Sequence, residues 1–531
     1  MADSLAATEA VRAARSHTIG DLLRRTALRT PDKPALLAAG RRFTYAEFDA
    51  AANRAANAIA RQGIGKGDRF AVLSHNGWEF CVLTYALARL GAIMVPINFM
   101  LNATEVAYIL EHSEATGLAV EDALHPVAEE AVRLSGVDLK ARGWIALAGE
   151  PRPEGWEDVA FWADSGEDGA PAVLVDDDDP VRLMYTSGTE SRPKGALLSS
   201  RSLICQYVSC VVDGEMVHDD IEIHALPLYH CAQLDCFLGP DVYVGATSIV
   251  LPRPDPEVIL RTIEEERVTK LFCPPTVWIS LLRSPAFATT DLSSLRKGYY
   301  GASPMPVEIL RELRERLPQV RLWNFYGQTE MAPLATILKP DEQISHAGSA
   351  GRPALNVETR LVGDDGHDVP PGEVGEIAHR SPQATLGYFR DEEKSADAFR
   401  GGWFHSGDLG VMSPDGYLTV VDRKKDMIKS GGENVASREV EEALYRLVGV
   451  AEAAVFGVPD EIWIEAVTAV VVLRDGAGLT EDAVITHCRS LLAGYKTPKH
   501  VFFASELPKN PSGKILKREL RESYARAAVA R

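Results

Sequence analysis

Apolar residues fall at two spacings along this chain, and the two alternate. Residues 49–62 are Ala-rich with helical spacing and end at Gly63 and Gly65, and Arg69–Leu73 follows as a short apolar strand. Trp78–Leu90 predicts a helix that runs through Gly91 into a buried strand over Ile93–Ile97. Residues 80–101 are also the best membrane candidate, but Arg89, Pro96 and Asn98 interrupt the apolar run, so a core helix and strand fit better. The pattern recurs as a strand over 247–251, a helix over 256–266 and a strand over 269–273. Such alternation predicts α/β layers with largely parallel sheets. Over 358–378 the texture changes to short strands broken by Gly363, Asp364, Asp365, Gly366, Pro370, Pro371 and Gly372, which predicts hairpins. A second change comes near Asp422. Beyond it lie a polar Gly-rich stretch, a helix around 439–447, strands near 453–457 and 466–473, a further helix and a Lys-rich tail, enough for a small α+β domain.

The chain has 531 residues, which at roughly 150 per domain makes two to four packed units. Its 46% hydrophobic and 25% charged residues exclude a disordered, collagenous or disulfide-dense protein. With 56 Lys plus Arg against 75 Asp plus Glu, the net charge of -19 repels phosphate backbones and anionic lipid, so nucleic acid is not an expected partner. A local basic pocket can still hold a nucleotide. The seven cysteines are scattered and suit a reducing cytoplasm, where the protein is expected to reside, and the first twenty residues lack the apolar core of a secretory signal. His230, Cys231 and Cys236 lie close in sequence but have no second paired ligand set, so no zinc site is expected there. The sequence leaves the oligomeric state open.

The sharpest local signal follows the apolar run 181–185: Thr186, Ser187, Gly188, Thr189, Glu190, Ser191, Arg192, Pro193, Lys194 and Gly195. Hydroxyls, a glycine that permits close backbone approach, and a lysine are what a polyphosphate needs. A Walker loop is excluded, because Pro193 stands where it requires Gly and Gly195 where it requires Ser or Thr.

The stretch YTSGTESRPKG (185–195) resembles the phosphate loop of the adenylate-forming superfamily, in its acyl-CoA synthetase branch. Further segments match in the expected order: LPLYH (226–230), YGQTE (326–330), GWFHSGD (402–408), DRKKD (422–426) leading to GGEN (431–434), and PKNPSGK (508–514). One departure is that Glu190-Ser191 replaces the usual Thr-Gly, and Glu190 is expected to turn from the phosphates toward Arg192. The resemblance implies a large domain over 1–424, with layered mostly parallel sheets, helices and a small distorted β-barrel. A small mobile α+β lid over 425–531 would carry the adenylation lysine.

The resemblance also implies a two-step reaction in which an acid attacks the α-phosphate of ATP, pyrophosphate leaves, and the thiol of coenzyme A attacks the acyl-adenylate. Thr186, Ser187, Gly188, Thr189 and Lys194 would cradle the β- and γ-phosphates. Tyr326 would lie against adenine, Thr329 would bond the α-phosphate, and Glu330 would hold Mg²⁺ through a hard oxygen. Asp408 and Arg423 would bind ribose, and Lys514 would reach the α-phosphate and carboxylate. Lys425 would be the hinge, and Gly431 and Gly432 would line the pantetheine tunnel.

Amino-acid-activating relatives hold the substrate ammonium with an Asp after an aromatic residue; here His230 follows Tyr229, which disfavours amino acids. His230 would gate the acyl pocket, walled by Gln233, Tyr300, Gly301, Ala302, Ser303, Met331 and Ala332. With no charge among these, a medium- to long-chain fatty acid is the leading expectation. An aryl or other specialised acid, and delivery to a carrier protein in trans, are the alternatives.

Overall fold

The computed structural model describes residues 10–38, 40–186, 193–303, 305–423, 426–430, 433–460, 463–474, 476–510 and 513–529. Among them the strands form four sheets. In the nine-stranded sheet a parallel centre, in the order Arg321–Gly327, Lys297–Gly301, Lys270–Phe272, Ile221–His224, Thr247–Val250 and Pro34–Ala38, is flanked by antiparallel edges. In the eight-stranded sheet Pro180–Thr186, Ile93–Ile97, Arg69–Leu73, Ala115–Glu121 and Ala141–Ile145 run parallel, and Lys194–Ser199 turns back against Pro180–Thr186.

Strand alternation stacks these sheets into layers. On Arg69–Leu73, Phe70 and Val72 enter one core while Ala71 and Leu73 enter another, as a period of two requires. The first core joins both large sheets, through Phe70, Val72 and Met94 on one and Leu36, Ala38 and Val250 on the other, to the helices Ile19–Arg29, Tyr45–Arg61 and Trp78–Leu90. Those helices therefore lie between the sheets. All thirteen residues of Trp78–Leu90 are buried, Arg89 included; its guanidinium donates to the Asp49 carbonyl (2.8 Å) and pairs with the Asp49 carboxylate. A buried charge satisfied in this way belongs to a protein core. Among the described residues no helix is long and apolar enough to cross a membrane.

The hairpin region is a four-stranded antiparallel sheet in the order Glu358–Val362, Val374–Arg380, Phe404–Met412 and Leu418–Arg423. From Ile428 onward the strands form their own sheet, centred on the long pair Val450–Asp460 and Ile464–Leu473, with two separate apolar clusters on its faces. All seven cysteines are free thiols.

Parallel strands present their carboxyl ends together, and in such sheets ligands bind there. Here the ends of 180–186, 93–97, 270–272, 297–301 and 321–327 open into one cleft. Asp408 and Arg423 reach it from the antiparallel sheet, and Asn510 and Lys514 from the segment that follows the strand His500–Ala504.

Candidate active site

The cleft has a volume of about 850 Å³ and brings together Thr186, Lys194, His230, Ala302, Tyr326, Thr329, Glu330, Asp408, Arg423 and Lys514. More than three hundred residues separate the first of these from the last. Ser187, Gly188, Thr189, Lys425, Gly431 and Gly432 lie outside the described residues, as do Glu190 and Arg192.

One half of the cleft is polar and its side chains are linked. Thr186 pairs with Lys194 across two antiparallel strands, which places the start and end of the phosphate-loop segment side by side. Tyr388, on a two-residue strand bonded to that same hairpin, donates its hydroxyl to Glu330 Oε1 at 2.9 Å and turns its ring to Lys194 Nζ, 5.4 Å from the centroid. Tyr326 donates its hydroxyl to Asp408 Oδ2 (2.7 Å), and Arg423 Nε lies 3.4 Å from Asp408 Oδ1. Burial, reinforced by the Asp408 carboxylate, pushes the Tyr326 phenol well above its ordinary range, so it stays a donor. Two carboxylate oxygens offer about four acceptor positions, so Asp408 can still receive two more hydroxyls.

His230 and Lys514 both face the cleft, and only one of them is a cation at pH 7. Burial first, and then the Lys514 charge, lower His230 to about 4, so its ring is neutral at pH 7. Its Nδ1 accepts from the Ala232 amide at 3.2 Å, which leaves the ring proton on Nε2. Lys514 faces the open cleft, yet the protein crowded around it, with Arg423 adding repulsion, lowers its ammonium to about 8; Asp408 and Asp426 oppose that fall. Thr329 Oγ1 sits 3.3 Å from Cys231 Sγ.

The other half is apolar and aromatic. Phe237 and Phe272 stack at 4.2 Å with ring planes 14° apart, and Phe325 lies 5.5 Å from Phe237 at 22°. All three border the cleft as nearly buried rings, with Ala232, Cys236 and Ala302 beside them. Behind them Tyr299 and Trp323 stack at 5.0 Å; Tyr299 donates to the Gly214 carbonyl and Trp323 to that of Asp213, closing this side. Phe237 and Cys236 come from a π-helical turn, Leu234–Leu238, a distortion that recurs at functional sites.

The pocket wall differs from the one the sequence suggests. Of its seven residues only Ala302 lines the cleft. Gly301 is buried on its strand, and a Cβ there would strike the Phe325 carbonyl oxygen, so its missing side chain serves sheet packing and leaves no room for substrate. Ser303 follows in a bend beside the cleft. Tyr300 is buried and donates to Gln343 at 2.7 Å, and Met331 and Ala332 are wholly buried. Gln233 ends the short helix Cys231–Gln233 and turns inward, donating to His224 Nδ1 at 2.7 Å. His224 in turn lies 3.3 Å from Asp241, beneath Glu222 and Lys270. Glu222, His224 and Asp241 have the donor types of a metal site, but the Lys270 ammonium contacts both carboxylates and supplies the cation itself.

The AMP-binding enzyme family model matches residues 23–389, and the model of the AMP-binding enzyme C-terminal domain matches residues 439–514. A feruloyl-CoA synthase of Amycolatopsis sp is 38% identical over 512 residues, covering 96% of this chain and 100% of that one. A long-chain-fatty-acid–CoA ligase of Mycobacterium tuberculosis is 36% identical, covering 91% of this chain and 93% of that one. The solved structure of an anthranilate CoA ligase in complex with anthranoyl-AMP superposes with a TM-score of 0.89 at 28% identity, covering 96% of this chain and 98% of that one. With both family models matched in order and relatives aligned over nearly the whole length, the chain belongs to the AMP-binding enzyme family, among its adenylate-forming acid–CoA ligases.

Proposed function

We propose that this acid–CoA ligase activates an aromatic carboxylic acid. The observation that carries this reading is the wall of near-parallel rings, Phe237, Phe272 and Phe325, in the apolar half of the cleft. A planar ring stacks on or edges against such a wall, gaining about 1 kcal/mol beyond its buried area, which a flexible alkyl chain does not. The feruloyl-CoA synthase and anthranilate ligase relatives support the same class. A second reading keeps the alkyl acid: Leu101, Ile109, Met184 and Leu334 also line the cleft, and a relative is named for long-chain fatty acids.

A carboxylate is a poor acyl donor, so it is first joined to phosphorus. One carboxylate oxygen attacks the α-phosphorus of ATP, the bond to the β-phosphate oxygen breaks, and pyrophosphate leaves; the CoA sulfur then attacks the acyl carbon and AMP leaves. Charge grows on phosphate oxygens in the first step, so fixed donors matter most. In this reading Thr186 and Lys194, with Ser187, Gly188 and Thr189, hold the outer phosphates. Thr329 and Lys514 hold the α-phosphate, and Lys514 also draws the incoming carboxylate. Tyr326 packs beside adenine, near Gly301, Ala302 and Ser303, while its hydroxyl and Arg423 orient Asp408 to accept from both ribose hydroxyls. Neutral His230 brings no second cation to compete with Lys514, and it separates adenylate from acyl group. The Glu330 carboxylate, oriented by Tyr388 in a cleft with the Thr186 hydroxyl, is a hard-oxygen set suited to Mg²⁺, which when bound would neutralise phosphate charge. Residues 425–531 act as the lid that swings about Lys425, and Gly431 and Gly432 then leave space for the pantetheine arm.

The test is AMP release across a panel of aryl, arylalkanoic and straight-chain acids. The proposal expects kcat/KM at least about tenfold higher for the best aryl acid than for the best alkyl acid. A preference for long alkyl acids would overturn it in favour of the second reading.

A further inference from the structure

Lys514 is the cation on which the adenylation reading turns, and its own loop is short. Asn510 ties Gly513 and Lys514 at three points: its amide donates to the Lys514 carbonyl (2.8 Å), its carbonyl accepts from the Gly513 amide (2.8 Å), and its side-chain oxygen accepts from the Lys514 amide (2.8 Å). These bonds tie Gly513 and Lys514 to Asn510 but do not set the place of Lys514 over the cleft. That placement needs a contact with the large sheets.

One such contact lies next to the lysine. Thr276, in the first turn of the helix Pro275–Arg283, donates its hydroxyl to the Gly513 carbonyl oxygen at 3.1 Å. Gly513 has φ +80°, and a Cβ there would lie 2.5 Å from Thr276 Oγ1 and 2.8 Å from Pro274 Cγ. Gly513 is thus pressed against 274–276 without room for a methyl group, in a backbone conformation that disfavours any side chain. This seat follows directly on the strand Lys270–Phe272, whose last residue walls the acyl pocket. The same strand end therefore shapes the acid's binding surface and carries the dock for the lysine.

We propose that Thr276 is a positioning residue for adenylation: its hydroxyl, with the Pro274 ring, seats the Gly513 turn so that Lys514 reaches the reacting phosphate and carboxylate. Thr276 touches no reacting group and acts only through Lys514. The inference rests on the adenylation reading of Lys514, and it predicts a defect confined to the first half-reaction.

The experiment compares the wild-type enzyme with Thr276→Val, Thr276→Ser and Gly513→Ala, using acid-dependent exchange of labelled pyrophosphate into ATP for the first step. Thioester formation from supplied acyl-adenylate reports the second. Thr276→Val is expected to lower kcat for exchange about tenfold with little change in the KM for ATP, and Thr276→Ser to restore it. Gly513→Ala is expected to lower exchange further, by roughly a hundredfold. All three variants should keep thioester formation within about twofold of wild type. Amide hydrogen exchange over 509–516, measured on the same proteins, should rise in Thr276→Val and return to the wild-type rate in Thr276→Ser. Unchanged pyrophosphate exchange in Thr276→Val, or equal loss in both half-reactions, overturns the proposal. Faster amide exchange with no pyrophosphate exchange even in the wild type would keep the seat but refute the adenylation reading beneath it.

Discussion

The two halves of the cleft are built from different materials and by different routes. In the polar half side chains set one another's direction: Tyr326 and Arg423 on Asp408, and Tyr388 on Glu330. In the apolar half nothing is aimed; Phe237, Phe272 and Phe325 are almost wholly buried at the cleft's edge, and their arrangement comes from packing on one another and on Tyr299. The difference separates the labour. In the proposed reading the polar half fixes which bond is made and broken and the apolar half fixes which acid is brought to it, so substitutions in the two should damage different kinetic quantities.

The largest effect is expected at Lys514. Lys514→Ala should lower acid-dependent pyrophosphate exchange by about a thousandfold while thioester formation from supplied acyl-adenylate stays largely intact. Equal loss of both half-reactions in single-turnover measurements would break the division between the halves. Next comes Glu330→Gln, which should cost about a hundredfold in kcat for adenylation and weaken magnesium binding, read directly by metal titration of the ATP-bound protein. An unchanged magnesium affinity would remove Glu330 from that role. On the apolar side, Phe237→Ala should raise the KM for an aryl acid about tenfold and leave the KM for ATP where it was. If the ATP constant moves instead, the ring wall does not select the acid.

The smallest effect is a pH dependence that sharpens the polar half. In the proposed reading Lys514 works as an ammonium, and because its value is lowered to about 8, adenylation should decline as pH rises through about 8. Lys514→Arg, charged throughout, should lose that alkaline limb. His230, lowered to about 4, is already neutral and should contribute no acidic limb between pH 6 and 8.

The polar half was legible because the 186–195 segment has the hydroxyls, glycine and lysine a polyphosphate needs, and because the remaining motifs resemble, in order, those of the adenylate-forming superfamily. Thr186, Lys194, Tyr326, Thr329, Glu330, Asp408, Arg423 and Lys514 do converge on one cleft. So were the alternating strands and helices of the layered core, since periods of two and 3.6 are local properties. The apolar half was not legible. Phe272 and Phe325 occupy buried strands where a phenylalanine facing substrate and one facing the core look alike, and Phe237 sits on a π turn that no local period announces. Gln233 shows the same blindness in reverse. Its nearness to His230 suggests the pocket, but a three-residue helix turns it toward His224, which adjoins the buried Asp241 and Lys270. Tyr388 and Thr276 were missed because each acts on a residue more than fifty positions away, through contacts only the folded chain creates.

The most direct test of the whole account is exchange of labelled pyrophosphate into ATP by the wild-type protein with magnesium and an aryl acid, in the absence of coenzyme A. The account predicts exchange that needs the acid and not the thiol. Label that enters ATP only when coenzyme A is present, or not at all across a broad set of acids, would contradict it.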